Sequence, residues 1–158
     1  MEAVREAVPA DGTRVAELVE EFLAGVVSQR GGRLLVDPDR EPGGPGGPPA
    51  WPGRPGDDPD RLVLVGTLDA VVTGVAVCHH EDRGTHRRHG VLDVCYVEPE
   101  ARGLGLGQLL VEGALAWLEA HGCAGVDGVA LPGDRPAKSF FEAAGFKARA
   151  ITMYRELG

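Results

Sequence analysis

No run of apolar residues in this sequence approaches the roughly 18 that a membrane-spanning helix needs. A span of the bilayer is therefore not expected, although 43% of the chain is hydrophobic. The opening Met1-Glu2-Ala3-Val4-Arg5-Glu6 is charged and has no apolar stretch. A secretory signal is not expected either, and the reading is a cytoplasmic protein. Cysteine is scarce: Cys78, Cys95 and Cys123 make three. An odd count at wide spacing is neither a disulfide framework nor a zinc site, so reduced thiols are expected. Positive charge is also short, with 16 Lys and Arg against 24 Asp and Glu and a net charge of −8. Such a surface repels nucleic acid and anionic membranes and favours cationic partners, among them a small-molecule or peptide amine.

What is present is one domain's worth of chain, 158 residues, with regular patterning on both sides of one unusual stretch. Val15, Leu18, Val19, Phe22, Leu23 and Val26 recur at helical spacing, predicting a helix over 12–30 that Gly31-Gly32 ends. Positions 37–60 hold eight prolines and six glycines, which no regular ladder tolerates. They read as a long loop, either disordered or a substrate lid, in which Trp51 either packs the loop down or lines a pocket. Strands are predicted over 61–66 and 70–79, joined through Leu68-Asp69-Ala70, with a third over 90–97 completing an antiparallel meander. Leu109, Leu110, Ala114, Trp117 and Leu118 form one face of a helix over 108–121. A short strand over 125–131 follows, parallel to the strand before it because a helix connects them. A helix over 135–144 and a closing strand over 148–157 complete the pattern. The fold class is α/β: a single domain, 1–158, with a mixed sheet flanked by helices.

The stretch that carries chemistry is Arg102-Gly103-Leu104-Gly105-Leu106-Gly107-Gln108, entered by a strand and left by a helix. Alternating glycines let the backbone approach a ligand without a Cβ in the way. The amides gather at a helix N-terminus, where the dipole adds positive potential, and Arg102 adds a full charge. This is a cradle for phosphate or pyrophosphate. It is not a P-loop, because Gln108-Leu109 stands where Lys-Ser or Lys-Thr would be needed. It is not a dinucleotide fingerprint, because Gln108 replaces the third glycine.

The same residues resemble the R-x-x-G-x-G signature of the GNAT superfamily of N-acetyltransferases. Val97-Glu98-Pro99-Glu100 resembles that family's lead-in, and Phe141-Glu142-Ala143-Ala144-Gly145-Phe146 resembles its second signature, Tyr-Glu-x-x-Gly-Phe. The likeness covers about 90–157. It implies a GNAT-like acyl-CoA N-acyltransferase fold with acetyl-CoA as acyl donor, its pyrophosphate on the amides of Arg102, Gly103, Leu104, Gly105, Leu106, Gly107 and Gln108. It implies that the strand ending at Val97 splays from the next parallel strand. The pantetheine arm would pair with backbone at Cys95 and Val97, and an amide near Tyr96 and Val97 would polarise the thioester carbonyl. A homodimer is an oligomeric state the resemblance allows.

The reaction implied is direct attack of an amine on the thioester in a ternary complex. Asp93, a carboxylate among Val91, Leu92, Val94 and Cys95, is the candidate general base. The family's usual general acid is the tyrosine of the second signature, and here Phe141 stands in its place. Three readings stay open: an unassisted thiolate, Tyr154, Tyr96 or water as a substitute donor, or a module that binds acyl-CoA without turning it over. Asp134 stands where the family often has an asparagine that contacts the cofactor, and an Asp accepts but does not donate there. His79, His80, His86 and His89 gather with Glu81 and Asp82, but Arg83, Arg87 and Arg88 among them disfavour a divalent ion. They read as a solvated hairpin tip, and no metal is expected.

Overall fold

The computed structural model of the chain describes residues 1–35, 54–84 and 87–158. Trp51, His86 and most of the Pro/Gly-rich stretch lie outside them. Five strands form one sheet in sequence order. They are β1 (Glu2–Glu6), β2 (Arg61–Leu68), β3 (Val71–Asp82), β4 (Arg88–Val97) and β5 (Cys123–Gly128). The first four run antiparallel, and β5 lies parallel to β4. Helix α1 (Gly12–Val27) covers one face; α2 (Leu106–Ala120) covers the other, with α3 (Arg135–Ala143) beside it.

The two faces follow from the period-2 alternation of the strands. On the α1 side, Val63, Val65, Val75, Val77 and Val94 meet Val15, Leu18 and Val19. On the α2 side, Leu62, Leu64, Ala76, Cys78 and Leu92 meet Leu106, Leu110, Ala114 and Leu118. Burying each such leucine stabilises the fold by about 1.5–3 kcal/mol. Two glycines let α2 sit close: a Cβ on Gly66 would stand 2.9 Å from Leu106, and one on Gly90 would stand 2.9 Å from Leu118.

The β2–β3 hairpin turns through Asp69 and Ala70, both with positive φ (47° and 68°). That is the pairing a two-residue primed turn needs, and it matches the right-handed strand twist. β1 was not anticipated. Its sequence, Glu-Ala-Val-Arg-Glu, is mostly charged, as suits an edge strand exposed to water.

Two expectations are corrected. The polar segment read as a hairpin tip is largely strand: β3 runs to Asp82 and β4 starts at Arg88, with Glu81 opposite His89 and Asp82 opposite Arg88. His79 and His80 are buried, 9% and 8% exposed, because they lie within the sheet rather than beyond it. The segment 148–157 forms no strand and is exposed throughout. Its alternation is that of a strand, but it pairs with no strand among the described residues.

Candidate acyl-transfer site

The site begins with a departure from regular pairing. β4 and β5 pair from Arg88↔Cys123 to Leu92↔Gly128. β5 ends there, while β4 continues through residues 93–97 hydrogen-bonded to β3. A wedge therefore opens between the two parallel strands, and one side of the β4 backbone from Asp93 to Val97 faces it.

At the apex of the wedge sits a bulge. Val77 pairs with Val94 and Cys78 with Leu92, so Asp93 is the extra residue. A bulge bends its strand and re-aims a side chain. Here it turns Asp93 toward His79 on the α1 face, with Asp93 Oδ2 2.6 Å from His79 Nδ1. The Asp93 side chain is 1% exposed and that of His79 is 11% exposed. The carboxylate is thus enclosed, and the imidazole is the more exposed of the two. Nδ1–H donates to Asp93, and Nε2 faces a second carboxylate, an arrangement that favours the protonated ring. Glu81 Oε2 lies 3.5 Å from Nε2. Burial pulls the His79 pKa down, but the hydrogen bond and charge of Asp93, with Glu81, outweigh it and leave it above the ordinary value.

The charges continue along this face. Arg83 Nε donates to Glu81 at 2.6 Å. His89 Nε2 lies 2.8 Å from Asp127 Oδ2, and Arg149 Nη2 donates to the same oxygen at 2.7 Å. Burial opposes ionisation of Asp127, yet Arg149 and His89 hold its pKa below the usual carboxylate value.

Beneath the wedge lies the glycine loop. Gly103 and Gly105 have φ of 82° and 84°, in the left-handed region that glycine enters freely, and a Cβ at either would meet nothing within 4 Å. The loop surface is open, and the first amides of α2 have no intrahelical acceptor. These two facts fit an anionic group laid on 102–108. Gly107 has a different reason: a Cβ there would stand 3.2 Å from Phe140, so glycine lets α3 close against α2. Cys95 Sγ lies 3.9 Å from the Gly107 carbonyl, joining β4 to the loop, and burial pushes that thiol up to about 12.

The other named residues divide between wedge and scaffold. Arg102 Nε donates to the Val97 carbonyl at 2.8 Å, and its guanidinium lies 5.5 Å from the Tyr96 ring centre. Its side chain thus braces the end of β4. Tyr96 donates its hydroxyl to Glu21 of α1 at 3.1 Å. The Gln108 side chain donates to Glu112, while its amide stays in the first turn of α2. Leu104 is exposed, and Leu106 is buried in the core. Asp134 caps α3, accepting from Ala137 N at 3.1 Å. Phe141 lies flat on β5: a Cβ on Gly128 would stand 2.4 Å from its Cε1. Its ring centre is 5.0 Å from that of Phe146. Tyr154 stands on the tail, 78% exposed. His79 is the residue that reading the sequence missed. It lies 14 positions from Asp93, and only the hairpin and bulge bring them together.

Among the described residues, no group of three or more His, Cys, Asp and Glu is placed to hold a metal ion, and no helix is long and apolar enough to cross a membrane. No curated protein matches the chain. Solved structures resemble it across nearly its whole length. A putative acetyltransferase from Agrobacterium tumefaciens superposes with a TM-score of 0.67 at 18% identity, over 98% of this chain and 99% of that one. An aminoglycoside acetyltransferase from an uncultured soil metagenomic sample gives 0.68 at 14%, over 99% and 97%. A ribosomal-protein-alanine N-acetyltransferase from Brucella melitensis gives 0.67 at 15%, over the whole of both chains. At these identities the likeness establishes the fold. The model of the acetyltransferase (GNAT) family matches residues 32–146, and with the glycine loop and the wedge in place the chain belongs to that family.

Proposed function

We propose that this chain transfers an acyl group from acyl-CoA, acetyl-CoA in the first instance, to a primary amine, in a ternary complex. One observation carries the reading: an open glycine loop at the start of α2 lies beneath the length of β4 that runs past the end of β5, with the His79–Asp93 pair at the apex of the gap. Acyl-CoA, when bound, supplies an activated thioester carbonyl. The amides of 102–108 would hold its diphosphate, and the outward backbone of Cys95 with the amide of Val97 would align its arm, the Val97 carbonyl being taken by Arg102. An amide at the end of β4 faces the carbonyl oxygen and stabilises the charge that develops there. His79 takes the proton of the incoming amine at Nε2, and Asp93 holds the ring in the tautomer that can do so. Asp93 thus acts through His79 rather than on the substrate. Phe141 offers no hydroxyl, and a thiol pKa near 8.5 makes the thiolate a tolerable leaving group without one. Glu81 beside Nε2 and the net charge of −8 favour a cationic acceptor.

The test is a thermal-shift titration with acetyl-CoA, CoA and longer acyl-CoAs, followed by CoA release with a panel of amines. Ligand at 100 times its Kd stabilises by about 2.7 kcal/mol. Gly105→Val, which strains a residue at φ 84°, should abolish that shift. If no CoA species stabilises the native chain, the reading fails. Stabilisation without CoA release from any amine supports a second reading, a binding module, which Phe141 packed on β5 and the exposed Tyr154 favour.

A further inference from the structure

The glycine loop is open on its outer side, so its shape is set by its two ends. One end is Leu106, buried in the core. The other is the stretch from Glu98 to Ala101, which lies past the last pair of β3 and β4, Gly74↔Val97. Among the described residues no ladder reaches this stretch, and what holds it comes from α1. Arg14, in the first turn of that helix, uses every arm of its guanidinium. Nη2 donates to Glu98 Oε1, Nε donates to the Val72 carbonyl at 3.1 Å, and Nη1 donates to Glu17 at 2.9 Å. Glu98 donates its own amide to the Thr73 carbonyl at 2.9 Å. A second bulge offers these carbonyls: Gly66 pairs with Gly74 and Thr67 with Val72, so Thr73 is the extra residue. Such a residue falls out of the regular ladder, and here its carbonyl goes to the entry of the loop.

The residue type is informative. A cation in the first turn of a helix works against the helix dipole, which favours an acid there. The first turn of α1 holds no acid. Arg14 thus opposes the helix that carries it and serves a contact elsewhere. A lysine would keep the charge but lose the three-way fork. The Arg14 and Glu98 side chains are half-buried against each other, although they stand 84 positions apart. We infer that Arg14 is a positioning residue for the acyl donor: through Glu98 it fixes the entry of the glycine loop in the shape that receives the diphosphate. This rests on the loop being the acyl-CoA site. Arg102 closes the same entry from the other side, with Nε on the Val97 carbonyl. The physical effect is preorganisation. Glycine loses more conformational freedom on ordering than any other residue. A loop already held loses less when its ligand arrives, and the difference is read as affinity. It is not read in the chemical step, because Arg14 contacts the loop entry and not the wedge.

Isothermal titration of acetyl-CoA into the native chain, Arg14→Gln and Arg14→Lys tests the assignment. Both substitutions should raise Kd by about 5–30-fold, the effect of leaving one more residue to be ordered on binding. Turnover at saturating acetyl-CoA should stay as it is, the signature of lost binding rather than lost chemistry. Glu98→Gln should raise Kd alike, and the double variant should bind no worse than either single one. Glu17→Gln, at an exposed surface pair, should leave Kd unchanged. An unchanged Kd in the Arg14 variants, additive losses in the double variant, or a fall in saturated turnover overturns the inference. A measurement without ligand separates it from the proposed activity. The Glu98 and Ala101 amides donate to the Thr73 and Glu98 carbonyls, and their hydrogen exchange should quicken in Arg14→Gln. The amides of the paired, fully buried Val65 and Val75 should keep their rates. Equal exchange at Glu98 and Ala101 in both proteins overturns the brace whatever the loop binds. Quickened exchange in a chain whose native form binds no CoA species upholds the brace, and the acyl-CoA reading is then what fails.

Discussion

On the α2 side of the sheet every central position goes to packing. Leu106, Leu110 and Leu118 are 2% exposed or less and interlock with Leu62, Leu64 and Leu92. On the α1 side the same strands start alike, with valines under Leu18 and Val19. Past the cover of α1 they change character: His79, Glu81, Asp93, His89 and Asp127 follow one another along the face. Both faces are packed, but the row of cross-strand carboxylates and imidazoles lies on the α1 side alone. Substitutions should therefore separate packing from proton handling.

The sharpest separation is His79→Gln. It should lower turnover by about 10²–10⁴-fold, the usual worth of a positioned base. Acyl-CoA stabilisation should stay as it is. In the native enzyme the rate should rise with pH as His79 loses its proton, with a midpoint above 6.5, and the variant should lose that limb. Equal pH dependence in both would remove His79 from the reaction. The stability effect has the opposite sign. Because the folded-state pKa is raised, the contribution of His79 is full below its unfolded pKa and disappears as pH rises through the folded one. Chemical denaturation across that range measures it.

Leu110→Ala is the mirror experiment. It should cost about 2–5 kcal/mol of stability. Turnover per folded molecule should change little, and a large fall in it would show the two faces to be coupled. Gly128→Ala lies between them. A methyl 2.4 Å from Phe141 must push the ring off β5. A destabilisation of about 1–3 kcal/mol is expected, as for other overpacked sites. Ala70→Gly is the smallest change. It relieves a φ of 68° in the β2–β3 turn and should stabilise by about 1 kcal/mol in a melting experiment.

Sequence reading and structure agree where the signal is local. The glycine loop, the helix behind it and the meander ahead of it are contiguous patterns, and each can be read from a few neighbouring residues. The His79–Asp93 pair could not be read that way. It depends on the register of two strands and on one bulged residue, and neither has a compositional mark. The charged residues near the hairpin suggested a solvated tip because charge usually marks loops. Here cross-strand partners absorb it, Glu81 opposite His89 and Asp82 opposite Arg88. β1 was obscured by its own exposure. The tail misled in the other direction, since its alternation is that of a strand but it pairs with no strand among the described residues.

The bulge at Asp93 has a consequence for how such a site arises. If Asp93 is left out, Val91, Leu92, Val94 and Cys95 alternate without interruption: valines toward α1, Leu92 and Cys95 toward α2. The carboxylate is a single added letter in an otherwise regular word. The strands on either side keep their frame because the bulge absorbs the addition. A fold built this way can gain or lose the carboxylate that holds its histidine through a single residue, with its hydrophobic layers left in place.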